Sequence, residues 1–121
     1  MNKISHYSDV NAYITQDGSE IRELMHPDTH GNASQSLAEA TVKPNESTLL
    51  HKHMKSEEIY YILQGSGKLL LDNKKILVNK GDTVCIMPGT THNIENTGQD
   101  DLKILCCCSP AYSHDDTVLD Q

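Results

Sequence analysis

The sequence contains neither tryptophan nor phenylalanine, and five tyrosines carry all of its aromatic content. A hydrophobic core must therefore be built from Ile, Leu, Val, Ala and Met. Arg22 is the only arginine. A bidentate guanidinium contact with a carboxylate or phosphate ligand can therefore come from that residue alone, because lysine acts as a point charge.

Positive charge is also scarce, since 10 Lys and Arg face 17 Asp and Glu and the formal net charge is -7. Such a surface repels phosphate backbones and anionic lipid, so we expect no nucleic-acid partner and no membrane partner. No apolar run approaches the roughly 20 residues of a spanning helix. The first 18 residues lack the apolar stretch of a signal peptide. We therefore expect a soluble, cytoplasmic protein.

No C-x-x-C pair is present, and the four cysteines are Cys85 and the run Cys106, Cys107 and Cys108. Neighbours on a strand point to opposite faces and are poorly placed to form a disulfide with each other. Free cysteine is among the most buried residue types. The sequence therefore predicts four reduced thiols in the core, with Cys106 or Cys108 lining a pocket as the alternative.

A length of 121 residues suits one domain. Residues 1–34 are polar and rich in turn residues, with one strand-like stretch at 20–25, and we interpret them as an N-terminal arm. Residues 35–110 alternate short apolar runs with turn residues every 8 to 12 positions, a pattern typical of an antiparallel sandwich or barrel. Residues 111–121 remain as a C-terminal tail. The predicted fold class is all-β.

The run that follows Glu58 is apolar on both faces of its predicted strand. Tyr60 and Ile62 lie on one face, and Ile59 and Tyr61 lie on the other. A strand with one wet face would alternate more cleanly, so we expect the outer face to be covered. A homodimer provides that cover most simply, and the alternative is that the N-terminal arm folds over this face within one chain.

Three histidines and a glutamate form the pattern that points to chemistry. His51 and His53 are two positions apart, so a strand presents both imidazoles on one face. Glu58 opens the next strand, and His92 follows a turn over residues 88–91. Three imidazoles and one carboxylate can hold an octahedral metal and leave two positions open for water, oxygen or substrate. Glu57 competes with Glu58 for the carboxylate position.

These residues resemble the two motifs of small single-domain cupins. The first motif falls on Asn45, His51, His53, Glu58 and Gly65, and the second on Gly81, Met87, Gly89, His92 and Asn96. Asn45 stands in place of a glycine, a mild change because Asn tolerates left-handed turns, and Met87 stands in place of a proline. The spacing to Gly65 favours Glu58 over Glu57 as the ligand.

The resemblance implies a double-stranded β-helix, or jelly roll, that is usually a dimer and holds one divalent metal in its barrel. The ligands His51, His53, Glu58 and His92 suit Mn, Fe, Ni, Co or Zn. Related cupins include dioxygenases, isomerases, decarboxylases and lyases. The resemblance thus implies a metal-dependent enzyme for a small oxygen-rich substrate, and Tyr60 is the candidate for a catalytic proton-transfer group.

Two alternatives lie outside enzyme chemistry. The barrel can serve as a non-catalytic module that binds or senses a metal and a small-molecule ligand. A tetrahedral zinc closed by four protein ligands would instead be structural. The remaining histidines lie in polar, turn-rich surroundings and are interpreted as surface residues: His6, His26, His30 and His114.

Overall fold

In a computed structural model, the described residues 2–120 form eleven β-strands and one short α-helix. The strands are β1 (Tyr13–Ile14), β2 (Glu20–Met25), β3 (Ser36–Val42), β4 (His51–His53), β5 (Glu57–Gln64), β6 (Ser66–Leu71), β7 (Lys74–Asn79), β8 (Thr83–Ile86), β9 (His92–Asn96), β10 (Leu102–Ser109) and β11 (Thr117–Leu119). The helix is α1 (Pro27–His30), and short 3-10 turns occupy Tyr7–Asp9 and His114–Asp116.

The strands form two antiparallel sheets that enclose the core. One sheet has the order β1-β2-β3-β10-β5-β8 and the other the order β11-β4-β9-β6-β7. From β3 onward the chain crosses repeatedly between the sheets, as in a jelly roll. The residues that fill the interior are Ala40, Val42, Tyr60, Ile62, Leu69, Val78, Ile86, Ile94, Leu102, Ile104 and Cys106. Burial of each large aliphatic side chain contributes about 1.5–3 kcal/mol. The predicted all-β jelly roll is confirmed.

Strand β5 alternates as the two-residue period of a strand requires. Glu58, Tyr60 and Ile62 point into the barrel and are buried, whereas Ile59 and Tyr61 are 39% and 41% exposed on the outer face. The same parity places Glu57, which precedes Glu58, at the exposed surface. The apolar outer face of β5 therefore remains partly exposed among residues 2–120.

Two turns show why particular residues are required. Asn45 adopts a left-handed conformation with φ of 68°, so it takes over the role of the glycine that it replaces in the first motif. Gly65, with φ of +88°, joins β5 to β6. A Cβ atom there would lie 3.1 Å from the carbonyl oxygen of Asp101 and 3.2 Å from the Cα of Leu102, so a larger residue would clash with backbone.

The N-terminal arm contributes two strands, where the sequence analysis expected one. Strand β2 pairs with β3, and β1 pairs with β2, so both extend the six-stranded sheet at its edge. The turn between them is tied to the barrel by a 2.8 Å hydrogen bond from the amide of Leu49 to the carbonyl oxygen of Asp17. The arm lies in the plane of the sheet and leaves Ile59 and Tyr61 exposed.

The C-terminal tail includes a strand that the sequence analysis did not anticipate. Strand β11 pairs with β4, and this register sets Thr117 opposite His53 and Leu119 opposite His51. The tail therefore borders the strand that carries two of the candidate ligands. Within residues 2–120, no helix is long and apolar enough to cross a membrane.

The cysteine prediction is half wrong. Cys106 and Cys108 are buried on the inner face of β10, but Cys107 is only partly buried and Cys85 is exposed. The reason is strand parity, because Cys107 lies between two inward residues and Cys85 pairs with the outward-facing Ile59.

The surface interpretation is wrong for His26. Its side chain is buried, and its Nε2 lies 2.7 Å from the carbonyl oxygen of Tyr112. Its Nδ1 accepts a hydrogen bond from the amide of Asp28, so the imidazole caps the short helix α1 and ties it to the C-terminal tail.

Candidate metal centre

The three predicted histidine ligands converge in the barrel interior. Their ring nitrogens include one set, one from each residue, that lies within 4.8 Å of one another, and all three side chains are buried. His51 and His53 share one face of β4, and the pairing of β4 with β9 sets His92 directly opposite His51. The ring centroids of that cross-strand pair are 4.2 Å apart. This group can hold a metal ion.

Hydrogen bonds to Nδ1 fix the orientation of each ring. The Nδ1 atoms of His51 and His92 lie 2.8 Å and 2.9 Å from the carbonyl oxygens of Leu49 and Thr90. A carbonyl oxygen only accepts, so both Nδ1 atoms carry hydrogen. The lone pairs of both Nε2 atoms are then free to face the centre, the tautomer that metal-binding histidines adopt.

The hydroxyl of Thr117 fixes the orientation of the His53 ring. The Thr117 hydroxyl donates to the carbonyl oxygen of Ser113 at 2.8 Å, so toward His53 it acts as an acceptor, 3.0 Å from Nδ1. His53 therefore also carries its hydrogen on Nδ1. In their neutral forms, all three imidazoles therefore turn the lone pair of Nε2 toward the centre.

Glu58 completes the group from the other sheet. Its Oε1 lies 3.2 Å from Nε2 of His53 and 3.5 Å from Nε2 of His92. Neither Oε1 nor the Nε2 of His92 has a hydrogen-bond partner among the described residues, although both atoms are buried. Buried acceptors that face each other without a donor are costly unless a cation lies between them. The donor set therefore fits a divalent metal.

Charge coupling within the site follows the same geometry. Burial acts to raise the pKa of Glu58, but the imidazoles of His53 and His92 outweigh it and lower the pKa to about 2. For His53, burial acts to lower the pKa, and the Glu58 carboxylate reverses this and raises it. Burial, with the neighbouring His92, lowers the pKa of His51. Glu58 is therefore a carboxylate at neutral pH, as a metal ligand requires.

The second oxygen of Glu58 is held by a cysteine. The Cys108 thiol donates to Oε2 at 3.4 Å and is buried on β10, which pairs with β5. Burial and the Glu58 charge raise the pKa of this thiol far above its ordinary value, so it remains a protonated donor. The sequence analysis offered two interpretations of Cys106 and Cys108, as core thiols or as pocket-lining residues. Both are confirmed, because the two residues are buried and also line the cavity.

A cavity leads from the three-histidine group toward the arm and the tail. The cavity has a volume of about 50 Å³, enough for a small ligand or a few waters. No Lys or Arg is among the described residues that line it. Arg22 lies elsewhere, where it donates to the carbonyl oxygen of Val10 and stacks over the ring of Tyr7 at 5.1 Å. An anionic ligand would find no guanidinium in the cavity.

Three residues near the centre were missed by the sequence analysis: Asp17, Tyr112 and Thr117. The Oδ2 atom of Asp17 lies 3.6 Å from Nε2 of His51, and the ring of Tyr112 makes an edge contact with His53 at 5.7 Å between centroids. All three belong to the predicted arm or tail, and no motif or spacing in those polar segments marked them.

Tyr60 lies beside the metal-binding group, but it is not among the described residues that line the cavity. Its ring contacts His92 edge-on at 6.1 Å between centroids and is buried. Burial and the Glu58 charge raise the pKa of its phenol well above the ordinary value. Tyr60 is therefore protonated at any physiological pH, and its catalytic role stays a prediction.

Sequence comparison identifies relatives across most of the chain. The family model described as a cupin domain matches residues 38–108. An uncharacterized protein of Methanocaldococcus jannaschii is 58% identical over 113 residues, which cover 93% of this chain and 90% of the relative. An oxalate-binding protein of Thermotoga maritima is 36% identical over 86 residues, which cover 71% of each chain.

Solved structures give the same picture. A predicted oxalate decarboxylase from Thermotoga maritima superposes with a TM-score of 0.77 at 28% identity, covering 88% of this chain and 98% of the other. The polyketide cyclase RemF from Streptomyces resistomycificus superposes with a TM-score of 0.77, also at 28% identity, covering 90% of this chain and 80% of the other.

Proposed function

The chain belongs to the cupin domain family, and from that premise we propose that it is a metal-dependent enzyme for a small oxygen-rich substrate. The observation that carries the proposal is the convergence of the buried imidazoles of His51, His53 and His92, with the carboxylate of Glu58 3.2 Å and 3.5 Å from Nε2 of His53 and His92. Mn, Fe, Ni, Co and Zn all suit this donor set. When bound, such a metal acts as a Lewis acid toward a substrate oxygen.

The chain's own residues determine how a substrate would be received. The cavity wall combines apolar side chains with hydroxyl, carboxyl and imidazole groups, and its small volume favours a small substrate. Because no Lys or Arg is among the described residues that line it, substrate oxygens would be held by the metal and by hydroxyl or carboxyl groups of the wall. Thr15 and Tyr112 are joined there by a 3.1 Å hydroxyl contact.

A proton-transfer group is needed in each of the candidate reactions. Tyr60 is our proposal for this group, because its protonated phenol lies next to the ligand His92. A Tyr60→Phe variant would then retain metal and lose turnover. Equal turnover by Tyr60→Phe and the wild type would remove Tyr60 from the mechanism.

The alternative is a module that binds a small ligand without turnover. The observation in its favour is the relative from Thermotoga maritima, which is named for binding oxalate and not for converting it. Oxalate is therefore the first probe for both functions. Chromatographic detection of oxalate and its breakdown products separates turnover from reversible binding.

The test begins with elemental analysis of protein purified without chelator or a nickel column. We expect stoichiometric divalent metal, followed by turnover in a screen of small carboxylate, enol and carbonyl compounds with and without oxygen. Absence of metal affinity in the purified protein would refute the proposal. Four-coordinate zinc with no open position would favour a structural metal.

We also propose a homodimer that covers the outer face of β5. Ile59 and Tyr61 remain exposed there within one chain, and strand β10 adds partly buried Leu105 and Cys107 beside them. Sedimentation velocity at micromolar protein is expected to report twice the chain mass. A Tyr61→Glu variant is expected to sediment as a monomer, whereas a monomeric wild type would contradict the proposal.

A further inference from the structure

Asp17 is a carboxylate that the proposed metal centre does not use, although it faces His51, one of the three histidines of that centre. Its Oδ2 lies 3.6 Å from the Nε2 of His51, and its side chain is 13% exposed. The three-histidine-and-glutamate pattern of the sequence does not include it. It reaches the centre from the turn between β1 and β2, on the arm side of the cavity.

The turn holds this carboxylate firmly. The amide and the hydroxyl of Ser19 donate to Oδ1 at 3.0 Å and 2.7 Å, so Oδ2 is the oxygen that faces His51. The main chain of Asp17 is fixed as well. Its carbonyl oxygen accepts a hydrogen bond from the amide of Leu49, which lies two residues before His51 in the sequence.

Distance and charge both favour a cation at this position. Two donors bound to one ion at about 2.1 Å each lie roughly 3–4 Å apart. The separation of 3.6 Å between Asp17 and His51 falls in that range, as do those of 3.2 Å and 3.5 Å between Glu58 and its two histidines. In its neutral form, with hydrogen on the Nδ1 atom that contacts the Leu49 carbonyl oxygen, His51 has no proton on Nε2 to offer Asp17.

We infer that Asp17 is a fifth protein ligand of the metal, an inference that rests on the proposed metal centre. With Glu58 alone, a divalent ion and three neutral imidazoles carry one net positive charge. With Asp17 as a second carboxylate the centre is neutral, which lowers the cost of its burial. On an octahedral ion, five protein donors would leave one open position, so a substrate would bind through a single oxygen or would displace Asp17.

The test compares metal binding by apo wild type with two variants, Asp17→Asn and Asp17→Ala. Titration with Mn(II) is expected to show affinity about 10–100-fold weaker for Asp17→Asn. Pulsed EPR of the Mn(II) proteins in isotopically labelled water is expected to count one bound water in the wild type and two in Asp17→Ala. Asp28→Asn is the matched charge control, because its carboxylate is 91% exposed on the same arm.

Ser19→Ala is the second control, since it removes one hydrogen bond to Asp17 and leaves the carboxylate in place. Its affinity is expected to stay within about threefold of wild type, while circular dichroism verifies the fold of every variant. At saturating Mn(II), the oxalate dianion is expected to bind more tightly to Asp17→Asn than to wild type. The centre of that variant is more positive and has a second position for a chelating oxygen.

The outcomes distinguish a failure of Asp17 as a ligand from a failure of the proposed metal centre. If the double variant His51→Ala with His53→Ala loses metal but the Asp17 variants keep the metal affinity and water count of the wild type, Asp17 is not a ligand. The same conclusion follows if affinity falls while the water count is unchanged, because Asp17 then acts by charge alone. If wild type binds no metal, or binds it equally after the loss of His51 and His53, the metal centre itself is refuted.

Discussion

Replacement of Thr117 by valine tests how the tail controls the metal centre. The two side chains have the same branched shape, and both suit a strand. Valine lacks the hydroxyl that accepts from Nδ1 of His53 at 3.0 Å and donates to the carbonyl oxygen of Ser113 at 2.8 Å. His53 is buried, so its Nδ1–H would be left without an acceptor.

The expected loss follows from that unpaired donor. Leaving a buried N–H unsatisfied costs about 1–3 kcal/mol. His53 avoids the cost by moving its hydrogen to Nε2, where Glu58 Oε1 lies 3.2 Å away and can accept it. A metal must then displace that proton before it can bind. We expect affinity to fall about 10–100-fold, which corresponds to about 1.4–2.7 kcal/mol.

The assay is competition between the apo protein and a chromophoric chelator for Mn(II) or Zn(II), at fixed pH. Thr117→Ser is the matched control, because it keeps the hydroxyl, and it is expected to bind metal nearly as the wild type does. Thermal denaturation of both apo variants verifies that β11 remains paired. Equal metal affinities for Thr117→Val and Thr117→Ser would refute the reasoning that this hydroxyl sets the His53 tautomer.

Three further predictions concern the ligands and the barrel. The double variant His51→Ala with His53→Ala is expected to stay folded by circular dichroism and to bind no metal; unchanged metal content would contradict the site. Glu58→Gln is expected to weaken metal binding far more than Glu57→Gln in the same titration, and the reverse order would overturn the ligand choice. Asn96→Ala removes three side-chain hydrogen bonds of 2.8–2.9 Å and is expected to lower the free energy of unfolding by about 3 kcal/mol in urea; a loss below about 1 kcal/mol would contradict that role.

Much of the fold could be predicted because strands have a local signature. The stretch 20–25 was expected as a strand and is β2, and the inward parity of Glu58, Tyr60 and Ile62 follows from the two-residue period. The same period fails for Cys85, whose apolar character suggested the core although its strand turns it outward. Composition indicates how buried a residue type usually is, but only position in the sheet decides which face it occupies.

The sequence by itself determined the all-β class, the placement of His51 and His53 on one face, and the inward orientation of Glu58 rather than Glu57. Each depends on spacing along one strand or across one turn, which the backbone fixes locally. Only the tertiary structure decided what surrounds those ligands. Thr117 lies 64 positions from His53, and Cys108 lies 50 positions from Glu58. Such contacts arise from strand register and sheet packing, and they cannot be predicted from a local pattern of residues.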